Sequence, residues 1–85
     1  MFESGEVLIT SSLNNEDKYQ ELVKCFWRHT MGDWGDLCDD DKRLNDLAIE
    51  SGDRIFSAYN TSFGKIYVIT EADRSYTTIM RAEEY

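Results

Sequence analysis

Apolar residues change their spacing twice along this chain. Val7-Leu8-Ile9 is a short β-prone run bounded by Gly5 and Ser11, and it predicts a strand over residues 6–10. The spacing then lengthens to three and four residues. Tyr19, Leu22, Val23, Phe26 and Thr30, with Trp27 beside them, mark the inward face of a helix predicted over about 15–30. Asn14 or Asn15 caps its start, Glu16 and Asp17 suit the positive end of its dipole, and Gly32 stops it. Asp39 or Asp40 caps a second helix that runs to about Ser51, with Leu44, Leu47 and Ala48 inward, a Lys42–Asp46 ion pair on its surface and Gly52 as its stop. From residue 54 the period is two. The segments 54–59, 65–70 and 76–80 are rich in β-branched and aromatic residues and are separated by turn clusters, which predicts an antiparallel meander. Tyr59, Tyr67 and Tyr76, on successive strands, are expected to pack across them.

The order β-α-α-β-β-β predicts a two-layer α+β domain, with two helices on a four-stranded, mainly antiparallel sheet whose first strand joins an edge of the meander. Eighty-five residues suit one domain, spanning 1–85. Two cysteines are too few for a disulfide scaffold, and the acidic start does not resemble a signal peptide. The expected compartment is therefore cytoplasmic. No apolar run is long enough to span a membrane.

Charge sharpens this picture. Seventeen acids against nine bases give a formal charge of −8, which opposes direct binding to nucleic acid or to an anionic membrane. Residues 33–53 hold eight of those acids and only two bases, while residues 54–85 are neutral overall. Function is accordingly sought in that acidic segment.

Few residues there or elsewhere suggest catalysis. Cys25 and His29, four apart on the first helix, together with Cys38, are the only soft metal ligands, and no CxxC or HxxxH pair accompanies them. A Cys/His nucleophile pair draws no support either, because Cys25 and His29 both sit near the expected core face and no oxyanion hole is identifiable. Asp33, Asp36, Asp39, Asp40 and Asp41 superficially resemble a calcium loop, but the twelfth residue from Asp33 is Leu44 in place of the closing glutamate. The scattered glycines spell neither GxxxxGK[ST] nor GxGxxG. No cofactor, resident metal or catalytic residue is expected.

Gly32-Asp33-Trp34-Gly35-Asp36-Leu37, Ile69-Thr70-Glu71-Ala72-Asp73-Arg74-Ser75 and the ending Glu84-Tyr85 carry a resemblance. The pattern resembles short bacterial, plasmid and phage proteins described as plasmid-related, some labelled as a restriction-system subunit, and it covers roughly residues 26–85. The resemblance implies a mobile-element setting and supplies no mechanism. It singles out Trp34, Glu71, Asp73 and Arg74. Arg74 is expected either to pair with Asp33 or Asp36, clamping the turn to the loop, or to form one exposed epitope with Trp34 as its anchor.

The leading expectation is a noncatalytic protein-interaction module whose candidate contact residues are Asp33, Trp34, Asp36, Asp39, Asp40, Asp41, Glu71, Asp73 and Arg74. Its partner would be a protein with a basic surface, and in a sharper form the acidic helix imitates a phosphate backbone against a host defence protein. The alternative is a small enzyme or ligand-binding domain with its site at the Trp34 loop and the Glu71–Arg74 turn. An exposed edge of the meander also offers a route to a homodimer through strand pairing.

Overall fold

A computed structural model describes residues 2–85. The chain runs β1 (Glu6–Ile9), a 3-10 turn (Ser11–Leu13), α1 (Glu16–Thr30), α2 (Asp39–Ser51), β2 (Ile55–Thr61), β3 (Gly64–Thr70), β4 (Tyr76–Arg81) and a closing 3-10 turn (Ala82–Glu84). The strands form one sheet in the order β1-β4-β3-β2. β2, β3 and β4 are an antiparallel meander, and β1 joins β4 in parallel with Glu6 opposite Tyr76 and Ile9 opposite Ile79. This is the expected two-layer α+β architecture. Among the described residues, no helix is long and apolar enough to cross a membrane.

Local chemistry explains the helix ends. The Asn15 side chain accepts from the Asp17 amide at 2.9 Å, satisfying one orphan donor of α1. α2 begins differently from expectation. Cys38, without a side-chain bond, occupies the cap position, and Asp39, Asp40 and Asp41 fill the first turn, where the helix dipole favours carboxylates. Gly52 closes α2 in the left-handed region at φ 81°, as expected.

The buried faces of both helices are rotated from those the apolar residues predict. α1 buries Leu22, Cys25 and His29, leaving Val23 and Trp27 exposed. α2 buries Asn45 and Ala48, while Leu44 is 62% and Leu47 55% exposed. The cause in α2 is Asn45. Its amide donates to the Phe56 carbonyl at 2.7 Å and accepts from the Phe56 amide at 3.1 Å, so it pairs with β2 as a neighbouring strand would. Turning Leu44 inward would break both bonds. Nor is Asp46 paired with Lys42; it accepts from the Trp34 indole instead.

The sheet face beneath the helices carries two apolar clusters. One joins Leu13, Leu22 and Cys25 to Tyr59, Ile66, Val68 and Ile79; the other joins Trp34, Ala48 and Ile55 to the half-buried Phe2, Leu37 and Ile49. Strand alternation sets Tyr59 apart from Tyr67 and Tyr76, and Tyr67 lies opposite Met80, four residues along β4 from Tyr76. Tyr59 is buried under α1, whereas Tyr67 lies on the opposite face, where it packs with Phe56 and Tyr85. The expected packing across Tyr59, Tyr67 and Tyr76 is replaced by a Phe56-Tyr67-Tyr85 cluster.

The open side of β2 is covered. Beyond the Asn45 bonds, the Ala58 amide donates to the Trp34 carbonyl at 3.2 Å and the Asp36 amide donates to the Ala58 carbonyl at 2.7 Å. The loop thus supplies a short parallel bridge at Gly35. Gly35 has φ 75°, and a Cβ there would collide with the Ala58 carbonyl and lie 2.6 Å from the Tyr59 ring. Gly35→Ala should cost at least about 2 kcal/mol in urea unfolding, against about 1 kcal/mol for Gly52→Ala, whose added Cβ meets open space. Equal losses in the two variants would count against the loop as a fixed edge cover.

Candidate protein-docking face

The candidate residues fall into two groups, those that hold the fold together and those that face outward. Asp33 belongs to the first. Its carboxylate takes the Arg28 guanidinium at 2.7 and 3.2 Å and the Gly35 amide at 3.2 Å, and the Arg28 bond holds its pKa below the usual aspartate range. Arg28 also stacks over the Tyr59 ring, 4.7 Å from its centroid, and the Tyr59 hydroxyl donates to the Asp33 carbonyl at 2.7 Å. Asp36 takes Lys65 at 3.2 Å and Asn60 at 3.3 Å, which lowers its pKa too.

Trp34 is the main correction among these residues. The exposed-epitope alternative makes it an exposed anchor, but it is 4% exposed. Its ring stacks on Phe2 and meets the His29 ring edge-on, and its Nε1 donates to Asp46 at 2.9 Å.

Arg74 does not pair with Asp33 or Asp36. It adopts φ 62° and turns its guanidinium under the end of α2, donating to the carbonyls of Ala48, Asp53, Glu71 and Ala72 at 2.8–3.2 Å. Ala48 lies in the last turn of α2, where a cation is favoured, and its carbonyl also accepts from the Gly52 and Asp53 amides. Arg74 also lies over Phe2, so the loop and the turn do meet, through Trp34, Phe2 and Arg74 in contact. Glu71 faces Arg54 at 3.7 Å. Asp73 accepts from the Ser75 amide at 3.0 Å and its hydroxyl at 2.6 Å, bonds that lower its pKa. The turn's polar groups are engaged in shaping the turn itself.

What faces outward is α2. Asp39, Asp40 and Asp41 are exposed, with Arg43 reaching Asp40 at 3.7 Å. Among the described residues, neither Asp39 nor Asp41 makes a side-chain bond to the protein. Asp40, Leu44, Leu47 and Ser51 follow one another at four- and three-residue steps, forming one surface stripe. Beside that stripe is a shallow groove of about 340 Å³ with walls of Leu37, Leu44 and Phe56, and with Asp41 and Arg54 at its rim. Apolar walls beside an unpaired carboxylate suit a long basic side chain, its stem on the leucines and its head on Asp41.

The residue that sequence reasoning undervalued is His29. It is fully buried, with Nδ1 2.5 Å from the Ser57 hydroxyl and Nε2 2.8 Å from that of Thr70. Thr70 lies 2.7 Å from the Thr77 hydroxyl, which donates to the Ser4 carbonyl at 2.7 Å. A carbonyl only accepts, so each proton in the chain has one direction. Thr77 donates to Ser4, Thr70 to Thr77, His29 Nε2 to Thr70, and Ser57 to His29 Nδ1. Every member is satisfied with the imidazole neutral. Cys25, one turn earlier, belongs to the apolar cluster, where burial raises its thiol pKa, and Cys38 is exposed. No three His, Cys, Asp or Glu side chains among the described residues converge as metal ligands. The signal available in the sequence was the spacing of Leu22, Cys25 and His29 on one helical face.

No protein-family model, curated protein or solved structure matches this chain.

Burial lowers the His29 pKa from 6.5 to about 4. The unfolded imidazole takes up a proton below about pH 6.5, whereas the folded one resists until about 4, so the stabilisation is complete above pH 6.5 and is lost as pH falls through that window. The loss should reach about 3 kcal/mol by pH 4. Urea midpoints measured from pH 7 to 4.5 should decline in the native chain, while His29→Gln, less stable at pH 7, should lack this component of the decline. Parallel pH profiles for the two proteins would refute a buried neutral imidazole.

Proposed function

We propose that this protein is a noncatalytic interaction module that docks a basic protein surface on the outer face of α2. The observation that carries the reading is the exposure of Leu44 and Leu47 on the same stripe as Asp40, beside the unpaired Asp39 and Asp41. An acidic surface that only maintained solubility would not need two leucines at its centre. Apolar anchors ringed by charge are the usual make-up of a protein contact, in which the leucines contribute affinity and the carboxylates steer association.

The sharper form of this proposal is that the acidic row of α2 stands in for phosphates in the nucleic-acid groove of a host protein. The mobile-element setting implied by the GDWG and ITEADRS segments favours it. The alternative of a ligand or catalytic site at the Trp34 loop and the Glu71–Arg74 turn draws less support, because the indole is packed inside and the Arg74 guanidinium is occupied by backbone carbonyls.

The test uses a partner recovered from host extract, identified, purified and rebound to the chain. Asp39, Asp40 and Asp41 changed together to Asn should weaken rebinding about 3- to 30-fold and flatten its salt dependence. Leu44→Ser with Leu47→Ser should weaken it at least about 10-fold while leaving the salt dependence unchanged. Duplex DNA should compete for the partner if the phosphate-mimic form holds. Full affinity in both variants would overturn the assignment of this face.

A further inference from the structure

The two edges of the sheet are treated differently. β2 is covered by Asn45 and the Gly35 bridge, whereas nothing in the described chain lies alongside β1, the other edge. The amides of Glu6 and Thr10 donate into the sheet, to the carbonyls of Ser75 and Ile79 at 3.1 Å. By strand alternation, the N–H and C=O groups of Val7 and Ile9 face the open side. A bare edge is a template for another strand, and proteins usually blunt it with charge or proline. Here one charge, Glu6, stands at its start, and Val7 and Leu8, both about two-fifths exposed, occupy its middle.

Behind this edge lies a groove of about 290 Å³ between β1 and α1, with apolar walls including Val7, Ile9, Tyr19, Val23 and Phe26. Trp27 continues the exposed ridge one turn beyond Val23, which is 63% exposed. The geometry points to a second copy of this chain as the occupant, through antiparallel pairing of β1 with its mate across a two-fold axis at Leu8.

Three observations support self-pairing. First, the parity fits. A two-fold axis at Leu8 sets Val7 opposite Ile9 of the mate, and those are the residues whose backbone groups face outward, so each such pair exchanges two hydrogen bonds. Leu8 meets its own copy on the axis. Second, the same axis runs the two α1 helices antiparallel on one side of an eight-stranded sheet, so each apolar groove is covered by the other's ridge. Third, the charges are self-complementary. α1 carries three acids and three bases; Arg28 is held by Asp33 on the β2 side, but Glu16 at the helix start and Lys24 beside Val23 are free of it. Antiparallel helices bring each Glu16 toward the basic half of the mate's α1, where Lys24 stands. In a chain of charge −8, this neutral face lets two copies meet without opposing the acidic α2 segments. The inference is independent of the docking face proposed for α2.

Sedimentation equilibrium of the full chain, at concentrations up to about 500 μM, should give twice the 9.9 kDa chain mass. Val23→Glu, at an exposed position outside the core, should return it to monomer with an unchanged circular dichroism spectrum. In a Cys38→Ser background, Leu8→Cys should cross-link to its own copy on mild oxidation, because the axis brings the two cysteines together. Val7→Cys, facing Ile9 of the mate, should not cross-link. A monomer throughout the concentration range would overturn the inference, as would a dimer that survives Val23→Glu or in which Leu8→Cys fails to cross-link.

Discussion

The imidazole of His29 sits uncharged between two hydroxyls, and much of the structure depends on that arrangement. Ser57 comes from β2, Thr70 from β3, Thr77 from β4 and Ser4 from the segment before β1, so one line of hydrogen bonds ties α1 to three strands and to the N-terminal segment. The line also joins the two apolar clusters, because the same ring takes Phe2 and Trp34 against its edges and face. A buried polar group without partners costs about 1–3 kcal/mol, and a charged one more. The fold meets that constraint by supplying a partner for each atom, and no buried side-chain nitrogen or oxygen among the described residues lacks one.

The second polar anchor, Asn45, follows the same logic at the sheet edge. By pairing with the Phe56 backbone it fixes the rotation of α2, and that rotation turns Leu44 and Leu47 outward beside the acidic first turn. Arg74 then secures the far end of α2 through the Ala48 and Asp53 carbonyls. The proposed docking face is thus a consequence of how α2 is held. Its leucines are exposed because a polar residue occupies the buried position.

The architecture was legible in the sequence because its signals are local. The change of period near residue 54, Asn15 before two acids and Gly52 after α2 mark elements through backbone chemistry that needs no tertiary information. The rotation of each helix was not legible, because hydrophobicity favours Leu44, Leu47 and Val23 over Asn45, Cys25 and His29. Only the positions of Ser57, Thr70 and the Phe56 backbone, all distant in sequence, make the polar choices favourable. The candidate residues divide for the same reason. Asp39, Asp40 and Asp41 face outward because a helix start suits them, whereas Trp34 and Arg74 are drawn inward by groups on other elements: Phe2, His29 and Asp46 for the indole, and the α2 carbonyls for the guanidinium.

The most direct test of the account is the state of the His29 ring itself. Nitrogen-15 NMR of the imidazole, followed from pH 7.5 to 4, should show a single neutral tautomer with the proton on Nε2 and an unprotonated Nδ1, its midpoint near 4 and well below the usual histidine range. A ring that carries its proton on Nδ1, or that becomes charged near pH 6.5 while the chain stays folded, would contradict the directed hydrogen-bond chain on which the account rests.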